Sequence, residues 1–448
     1  MQPSQVHQTI GKYMLADSKH IVFDMERSNG AYLVDAVTGK EYIDFFTFFA
    51  SNPIGYNHPG LQDPAFVEKL TLSALHKPSN SDIYTTLMAE FVDAFGRLAM
   101  PEEMPYLFLV SGGSLAVENA LKTAFDWKAR KNFSAISGAN LKEAMPAMVE
   151  GLGSKVIHFE EAFHGRSGYT LSMTNTDDPR KYMYFPKFDW PRVINPKLRF
   201  PINEDVLREV ARMEEFACAQ IEAVVRQHKG DVAALIIETI QGEGGDNHFR
   251  TEFMRELRRL ADEHEFLLIF DEVQAGMGIT GKMWAFEHHD VRPDIFAFGK
   301  KSQVSGIVVG KRIDEVSNHV FEEPSRINST FGGNLTDMVR CTRYLEIIAE
   351  NDLLAHTAKM GQKMIGELQT VAEESKGVIT NVRGKGLMIA YDLPDQGKRD
   401  GMIEKMAGNG LQAMKSGNRS IRFRGMLDTP EEVINEAVKI VARSIPAR

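Results

Sequence analysis

Cysteine is almost missing from this chain. Only Cys218 and Cys341 occur in 448 residues, and neither lies in a CxxC pair. That excludes a disulfide framework and a cysteine metal centre, and it points to a reducing cytoplasm. Basic residues are not in excess: 52 lysines and arginines face 61 aspartates and glutamates, giving a net charge of −9. A nucleic-acid partner would want a basic face, so none is expected. An anionic substrate must then be drawn by a few placed arginines. No apolar run approaches the roughly 20 residues of a membrane helix, and the opening MQPSQVHQTIGKYML has no apolar signal core, so a soluble protein away from membranes is expected. HExxH is absent and His288-His289 are adjacent rather than helically spaced, so no metal site is expected. Internal repeats, charge blocks and low-complexity linkers are absent as well.

What is present is a hydrophobic share of 43%, enough for a large core and a smaller lobe. From about residue 105 to 310, short apolar runs alternate with helical stretches, the mark of a parallel sheet with crossover helices. The runs are YLFLV, SKVIHF, AALIIETI, FLLIF, DIFAF and GIVVG. Between the third and fourth, Phe253, Met254, Leu257, Leu260 and Ala261 recur at helical spacing and define one βαβ unit. Its right-handed crossover puts Glu238 and Asp271 on one edge of the sheet, where ligands usually sit. After Thr330 the pattern changes to long helices, from about Asp337 to Glu350 and through LLAHTAKMGQKMIGELQTVAEE. GLMIAYDL and SIRFRG then read as strands of a separate C-terminal α+β lobe. The first sixty residues, turns and short strands, are expected to pack with that lobe. Stretches 131–150 and 176–205 read as irregular insertions.

Chemistry concentrates at a few places. Lys300 ends the run DIFAFGK, and Asp271 ends FLLIFD. A lysine and a carboxylate at the ends of successive buried strands can hold pyridoxal phosphate at both poles, the lysine capturing the aldehyde and the acid keeping the ring nitrogen protonated. Crowding by a cofactor and other cations would lower the lysine pKa and make it a nucleophile and proton shuttle. The plainer reading is a solvated Lys300-Lys301 pair. Val110 to Ser114, VSGGS, precedes a helix whose bare N–H groups could cradle a phosphate, although glycine also serves turn geometry. Phe163 could stack on a planar cofactor and Arg166 could grip a carboxylate bidentately; His164 between them reads as structural. Arg422 and Arg424 fall on one strand face, so periodicity does not choose between them. Glu243 sits among glycines in IQGEGGDN that could let it move. A rival reading takes Asp271-Glu272 as the magnesium-binding strand of a nucleotide hydrolase and GMGITGK as its phosphate loop, and a further alternative is a non-catalytic nucleotide-binding or scaffold protein built on the same sheet. Met283, however, replaces the hydroxyl that must hold magnesium, and the loop follows the acidic strand.

Taken together, DAVTGKEYIDFF, SGGSLAVENALK, FHGR, ETIQGEGG, FDEVQAGMGITGKMWAFEHH, DIFAFGKK, STFGGN and VRGKGLMIAYDL resemble the class III aminotransferases of the fold-type I pyridoxal-phosphate family, in the right order and through nearly the whole chain. The resemblance implies an α/β fold: a large domain with a mostly parallel seven-stranded sheet at 66–325, and a smaller α+β domain built from 1–65 and 326–448. It assigns the covalent cofactor linkage to Lys300 and the pyridine nitrogen to Asp271. Phe163 stacks on the ring, Gln274 serves its hydroxyl side or the phosphate, and Gly113 and Ser114 hold the phosphate. Thr330 reaches the phosphate of the neighbouring subunit's cofactor, which implies an obligate homodimer with shared sites. FGKKSQVSG in place of the commoner GKALGGG, and ETIQ in place of EPIQ, resemble the lysine 6-aminotransferase branch. That branch implies ping-pong transfer of the ε-amino group of L-lysine to 2-oxoglutarate, yielding 2-aminoadipate 6-semialdehyde and L-glutamate. Arg166 would bind the remote carboxylate, Arg422 the α-carboxylate of the keto acid, Asn328 the α-amine of lysine, and Glu243 would neutralise Arg422 when lysine enters. Other ω-amine donors, 4-aminobutyrate or ornithine among them, are the nearest alternatives.

Overall fold

The apolar runs between Tyr106 and Val309 are strands of one sheet in the computed structural model, which describes residues 1–17, 19–137 and 151–446. Across the sheet the order is Tyr106–Val110, Ser305–Val309, Ile295–Phe298, Leu267–Asp271, Val232–Glu238, Lys155–Phe159, Arg192–Val193. The last five run parallel, whereas Ser305–Val309 is antiparallel to both its neighbours. Val232–Glu238 and Leu267–Asp271 are buried at every position, because helices cover both faces of the sheet, and their sequences are continuously apolar for that reason. On one face the helix Gly113–Ser137 packs Val117, Leu121 and Trp127 against Ile236 and Ile269. On the other, Thr251–Glu263 and Glu204–His228 bring Leu257, Phe253 and Ile221 against Leu235 and Leu268.

The parallel register sets Glu238, Asp271 and Ala297 level with one another, so the acidic pair does share one sheet edge. The seventh strand, Arg192–Val193, lies inside the 176–205 stretch and is two residues long, too short to leave a period in the sequence. The 131–150 stretch needs correction. Residues 131–137 continue the Gly113–Ser137 helix, and 138–150 lie outside the described residues. Tertiary contacts hold the start of that extension: Lys131 pairs with Glu265 at 2.8 Å and Glu315 at 2.6 Å, residues far from it in sequence.

The C-terminal residues form helices Leu335–Glu350 and Leu353–Glu374, then an antiparallel sheet ordered Thr380–Lys385, Met388–Asp392, Ser420–Arg424, Met414–Ser416. Thr380–Lys385 shows no apolar alternation, since the adjacent Val382 and Arg383 are both buried, Arg383 bonded to Asp246 O, Ser420 Oγ and Asp392. The first strands, Tyr32–Val34 and Glu41–Asp44, add Leu411–Gln412 in parallel. Phe45 and Ile43 share a core with Leu411, Phe423 and Ile434. The glycine loop at 276–282 is a packing joint and not a phosphate cradle: a Cβ on Gly276 would lie 2.5 Å from Trp284, and one on Gly281 2.7 Å from Ala358.

Two glycines of one helix test this packing. A Cβ on Gly361 would stand 2.1 Å from Gly386 O, whereas one on Gly366 meets nothing within 4 Å. Gly361→Ala should therefore destabilise by about 1–3 kcal/mol through overpacking. Gly366→Ala should stabilise by about 0.5–1 kcal/mol through helix propensity. Denaturant midpoints of the two variants should move in opposite directions.

Candidate active site

One residue, Gly299, separates the strand Ile295–Phe298 from Lys300. The Lys300 backbone is left-handed, with φ 54°, a conformation that costs a non-glycine residue about 1–3 kcal/mol and persists only where its surroundings enforce it. Burial pushes the Lys300 amine below the ordinary lysine range, and the charge of Arg422 pushes the same way against Asp271, Glu243 and Glu238. Among the described residues its Nζ has no hydrogen-bond partner. Lys301 is more deeply buried, and its Nζ donates to Gln274 O at 2.8 Å and Ala50 O at 3.3 Å. The two lysines are thus no solvated pair: one is tied to backbone carbonyls and the other is left unpaired.

Asp271 closes the strand Leu267–Asp271 and is buried. Its Oδ1 accepts the Val273 N–H at 3.1 Å, and its Oδ2 lies 2.8 Å from His164 Nδ1. The sequence makes His164 a structural residue, whereas in the fold it orients this acid directly. The contact spans 107 positions, so no local spacing announces it. Beside the pair, Glu238 accepts N–H groups of Phe163 and Gly242, each at 3.0 Å. Burial raises the Glu238 carboxyl to about 7; His164 opposes the rise and Asp271 adds to it.

The helix after VSGGS offers free donors. Its first backbone bond runs from Ala116 N–H to Gly112 O at 3.0 Å, so the N–H groups of Gly113, Ser114 and Leu115 precede it. Gly113 has no room for a side chain, because a Cβ there would lie 2.7 Å from Val273 Cγ1. The Ser114 hydroxyl is engaged with Ser167 Oγ at 2.5 Å and Thr170 Oγ1 at 2.7 Å, which leaves its backbone N–H for an anion. An unpaired, partly buried amine, a buried oriented carboxylate and a helix start with open N–H groups together fit pyridoxal phosphate.

A cavity of about 1000 Å³ adjoins this centre, lined by Arg166, Lys181, Glu243, Arg422 and the aromatic side chains of Phe46 and Phe48. Glu243 Oε2 lies 2.5 Å from Arg422 Nη2, and its Oε1 lies 2.6 Å from Lys181 Nζ. Burial would raise the Glu243 carboxyl, but Arg422 and Lys181 outweigh it and hold the group below its usual value. The structure separates the two arginines that the sequence left equivalent. Arg424 is fully buried on Asp246, at 2.6 and 2.7 Å, while Arg422 lines the cavity. Gln274 Oε1 accepts from both, at 3.1 Å from Arg422 and 2.7 Å from Arg424, so only its Nε2 remains for another contact. Arg166 is exposed and lies 5.9 Å over the Phe163 ring, with no carboxylate partner among the described residues. Asn328 and Thr330 are not gathered in: both are exposed, Asn328 Oδ1 accepting from Ser329 N and Thr330 O from Ser79 Oγ.

Comparison with known proteins extends these findings. The Aminotransferase class-III family profile matches residues 13–445. L-lysine-epsilon aminotransferase of Mycobacterium tuberculosis is 45% identical over 445 residues, covering 99% of this chain and 96% of its own. Mitochondrial 4-aminobutyrate aminotransferase of Sus scrofa is 32% identical over 421 residues, covering 92% and 82%. Among solved structures, a lysine aminotransferase from M. tuberculosis in its internal aldimine form superposes with a TM-score of 0.94 at 45% identity, over 100% of this chain and 99% of the other.

Two measurements probe the centre. His164→Ala removes a charge-assisted hydrogen bond to Asp271, so cofactor affinity, followed by absorbance titration, should fall about 10- to 100-fold. Because burial disfavours its charged form, Lys300 should react with an amine-directed reagent at lower pH than exposed lysines do, as read by peptide mass spectrometry.

Proposed function

The chain belongs to the class III aminotransferases, and on that premise we propose that it transfers the ε-amino group of L-lysine to 2-oxoglutarate, forming 2-aminoadipate 6-semialdehyde and L-glutamate. The observation that carries this reading is the ion pair between Glu243 and Arg422. A lysine entering by its ε-amine brings no carboxylate beside the reacting carbon. Arg422 would then be an uncompensated buried cation, costing several kcal/mol on the order of the penalties for broken buried pairs; Glu243 removes that cost. When 2-oxoglutarate enters, Glu243 swings aside and Arg422 takes the α-carboxylate. The identity shared with lysine-epsilon aminotransferases supports the same donor.

The cofactor, pyridoxal phosphate, supplies when bound an aldehyde that captures the amine and a ring that accepts carbanion charge. Lys300 Nζ, unpaired and held below the ordinary lysine pKa, would hold the cofactor, and as a free amine it would take the proton from the ε-carbon of the substrate. Asp271, fixed by His164, is the residue for the pyridine nitrogen's proton. Phe163 serves as the ring's stacking face, Gln274 Nε2 its hydroxyl side, and the N–H groups of Gly113 and Ser114 the phosphate. Arg166, free of any carboxylate, receives the remote carboxylate, and Asn328 the α-amine of lysine.

Thr330 serves the neighbouring subunit's cofactor in a homodimer. Apolar side chains left exposed close by in the chain support that assembly: Ile83 and Tyr84 beside the segment bonded to 329–331, and Phe331 itself. The large cofactor-binding domain is residues 66–325, with 1–65 and 326–448 forming the smaller one. Among the described residues no helix is long and apolar enough to cross a membrane, and the proposed place of action is the cytoplasm.

A donor panel with 2-oxoglutarate, following glutamate formation and trapping the cyclised semialdehyde, tests the donor; equal rates with 4-aminobutyrate would overturn lysine. Arg422→Met should raise KM for 2-oxoglutarate about 10- to 100-fold, the worth of a charge-assisted pair, and leave the lysine half-reaction within a few fold. Glu243→Ala should shift the preference from lysine toward glutamate as donor. An unchanged ratio of the two half-reactions would refute the switch.

A further inference from the structure

Glu243 is held by two cations rather than one, and the second comes from outside the motifs that mark the site. Lys181 ends the single 3-10 turn Pro179–Lys181 within the 176–205 stretch. Asp178 caps that turn by accepting the Arg180 N–H at 3.2 Å, which fixes where the Lys181 side chain leaves the backbone. Its Nζ reaches Glu243 Oε1 at 2.6 Å while Arg422 holds Oε2. Both Lys181 and Glu243 line the large cavity, and each side chain is about a fifth to a quarter exposed, at 20% and 25%. We propose that Lys181 is a specificity-determining positioning residue, a latch that keeps Glu243 over Arg422 and so sets the balance between ε-amine donors and substrates bearing an α-carboxylate.

The inference rests on reading Glu243 as the cover of Arg422. Glu243 then has two arrangements, one closed on Arg422 and one swung away, and a keto acid binds only the second. Its apparent affinity is reduced by the fraction of enzyme that is closed. A contact made in the closed arrangement shifts that fraction by its own free energy, and the contact between Lys181 and Glu243 is made there. For a partly exposed ion pair this corresponds to about a twofold to fivefold change in an equilibrium. Lys181 also acts in the opposite direction, as a cation that draws anions into the cavity. While the pair is intact that attraction is largely cancelled by the Glu243 charge, and it survives alone when Glu243 is removed. The two effects are therefore separable by a double-mutant cycle.

The experiment uses the cofactor-loaded full chain and measures kcat and KM for both half-reactions. Lys181→Met, or Lys181→Gln if the former is not recovered, should lower KM for 2-oxoglutarate about twofold to fivefold and raise kcat/KM for glutamate by a similar factor, with kcat unchanged in both directions. Lys181→Arg should restore wild-type values, because a cation at that place is what the latch requires. In a Glu243→Ala background, Lys181→Met should no longer lower KM for the keto acid. The latch is overturned if Lys181→Met leaves that KM unchanged or raises it, or if the drop persists without Glu243. If the wild type fails to use lysine, the donor assignment falls instead, and the effect on 2-oxoglutarate still reports on Lys181.

Discussion

The structure depends on charge compensation at the carboxyl edge of the central sheet. Asp271, Glu238, Lys300, Arg422 and Glu243 meet there, and burial together with the charges of neighbours shifts Lys300 downward, Glu238 upward and Glu243 downward. Desolvation opposes the charged forms of Lys300, Glu238 and Glu243, and neighbouring opposite charges make their burial tolerable. Lys300 is the exception in the arrangement: it is surrounded by charged groups but bonded to none, and an amine in that condition is reactive.

That edge is held in place by contacts that take no part in the chemistry. Lys301 donates to Gln274 O, while Gln274 Oε1 is shared by Arg422 and Arg424, and Arg424 is anchored on Asp246. The chain of contacts links the turn after one sheet strand to the antiparallel sheet of the C-terminal residues. A shift in either layer would move the guanidinium of Arg422, so the geometry of the carboxylate site is a property of how the two sheets are joined.

Much of this was legible in the sequence where the signal is local. Buried strands such as AALIIETI and FLLIF announce themselves because both of their faces are covered, and the level placement of Glu238 and Asp271 follows from one crossover. The two-residue strand Arg192–Val193 and the strand around Arg383 were not legible, the first for its length and the second because a buried arginine breaks the apolar period. Long-range polar partners were invisible for the same kind of reason: His164 reaches Asp271 and Lys181 reaches Glu243 across loops whose path no periodicity encodes. The choice between Arg422 and Arg424 likewise needed Asp246, which pairs with one of them and so leaves the other to the cavity.

The strand Glu41–Asp44 lies beside Leu411–Gln412, and Lys40 Nζ bonds Gly408 O across 368 positions. During synthesis the first strands therefore leave the ribosome long before the segment that receives them exists, and they must wait as an unsatisfied edge with apolar side chains such as Ile43 and Phe45 uncovered. Completion of that layer must wait for the segment at 411–412 to be made, with a chain-closure entropy to overcome. The interval is when the nascent polypeptide is most open to aggregation and to the chaperones that prevent it.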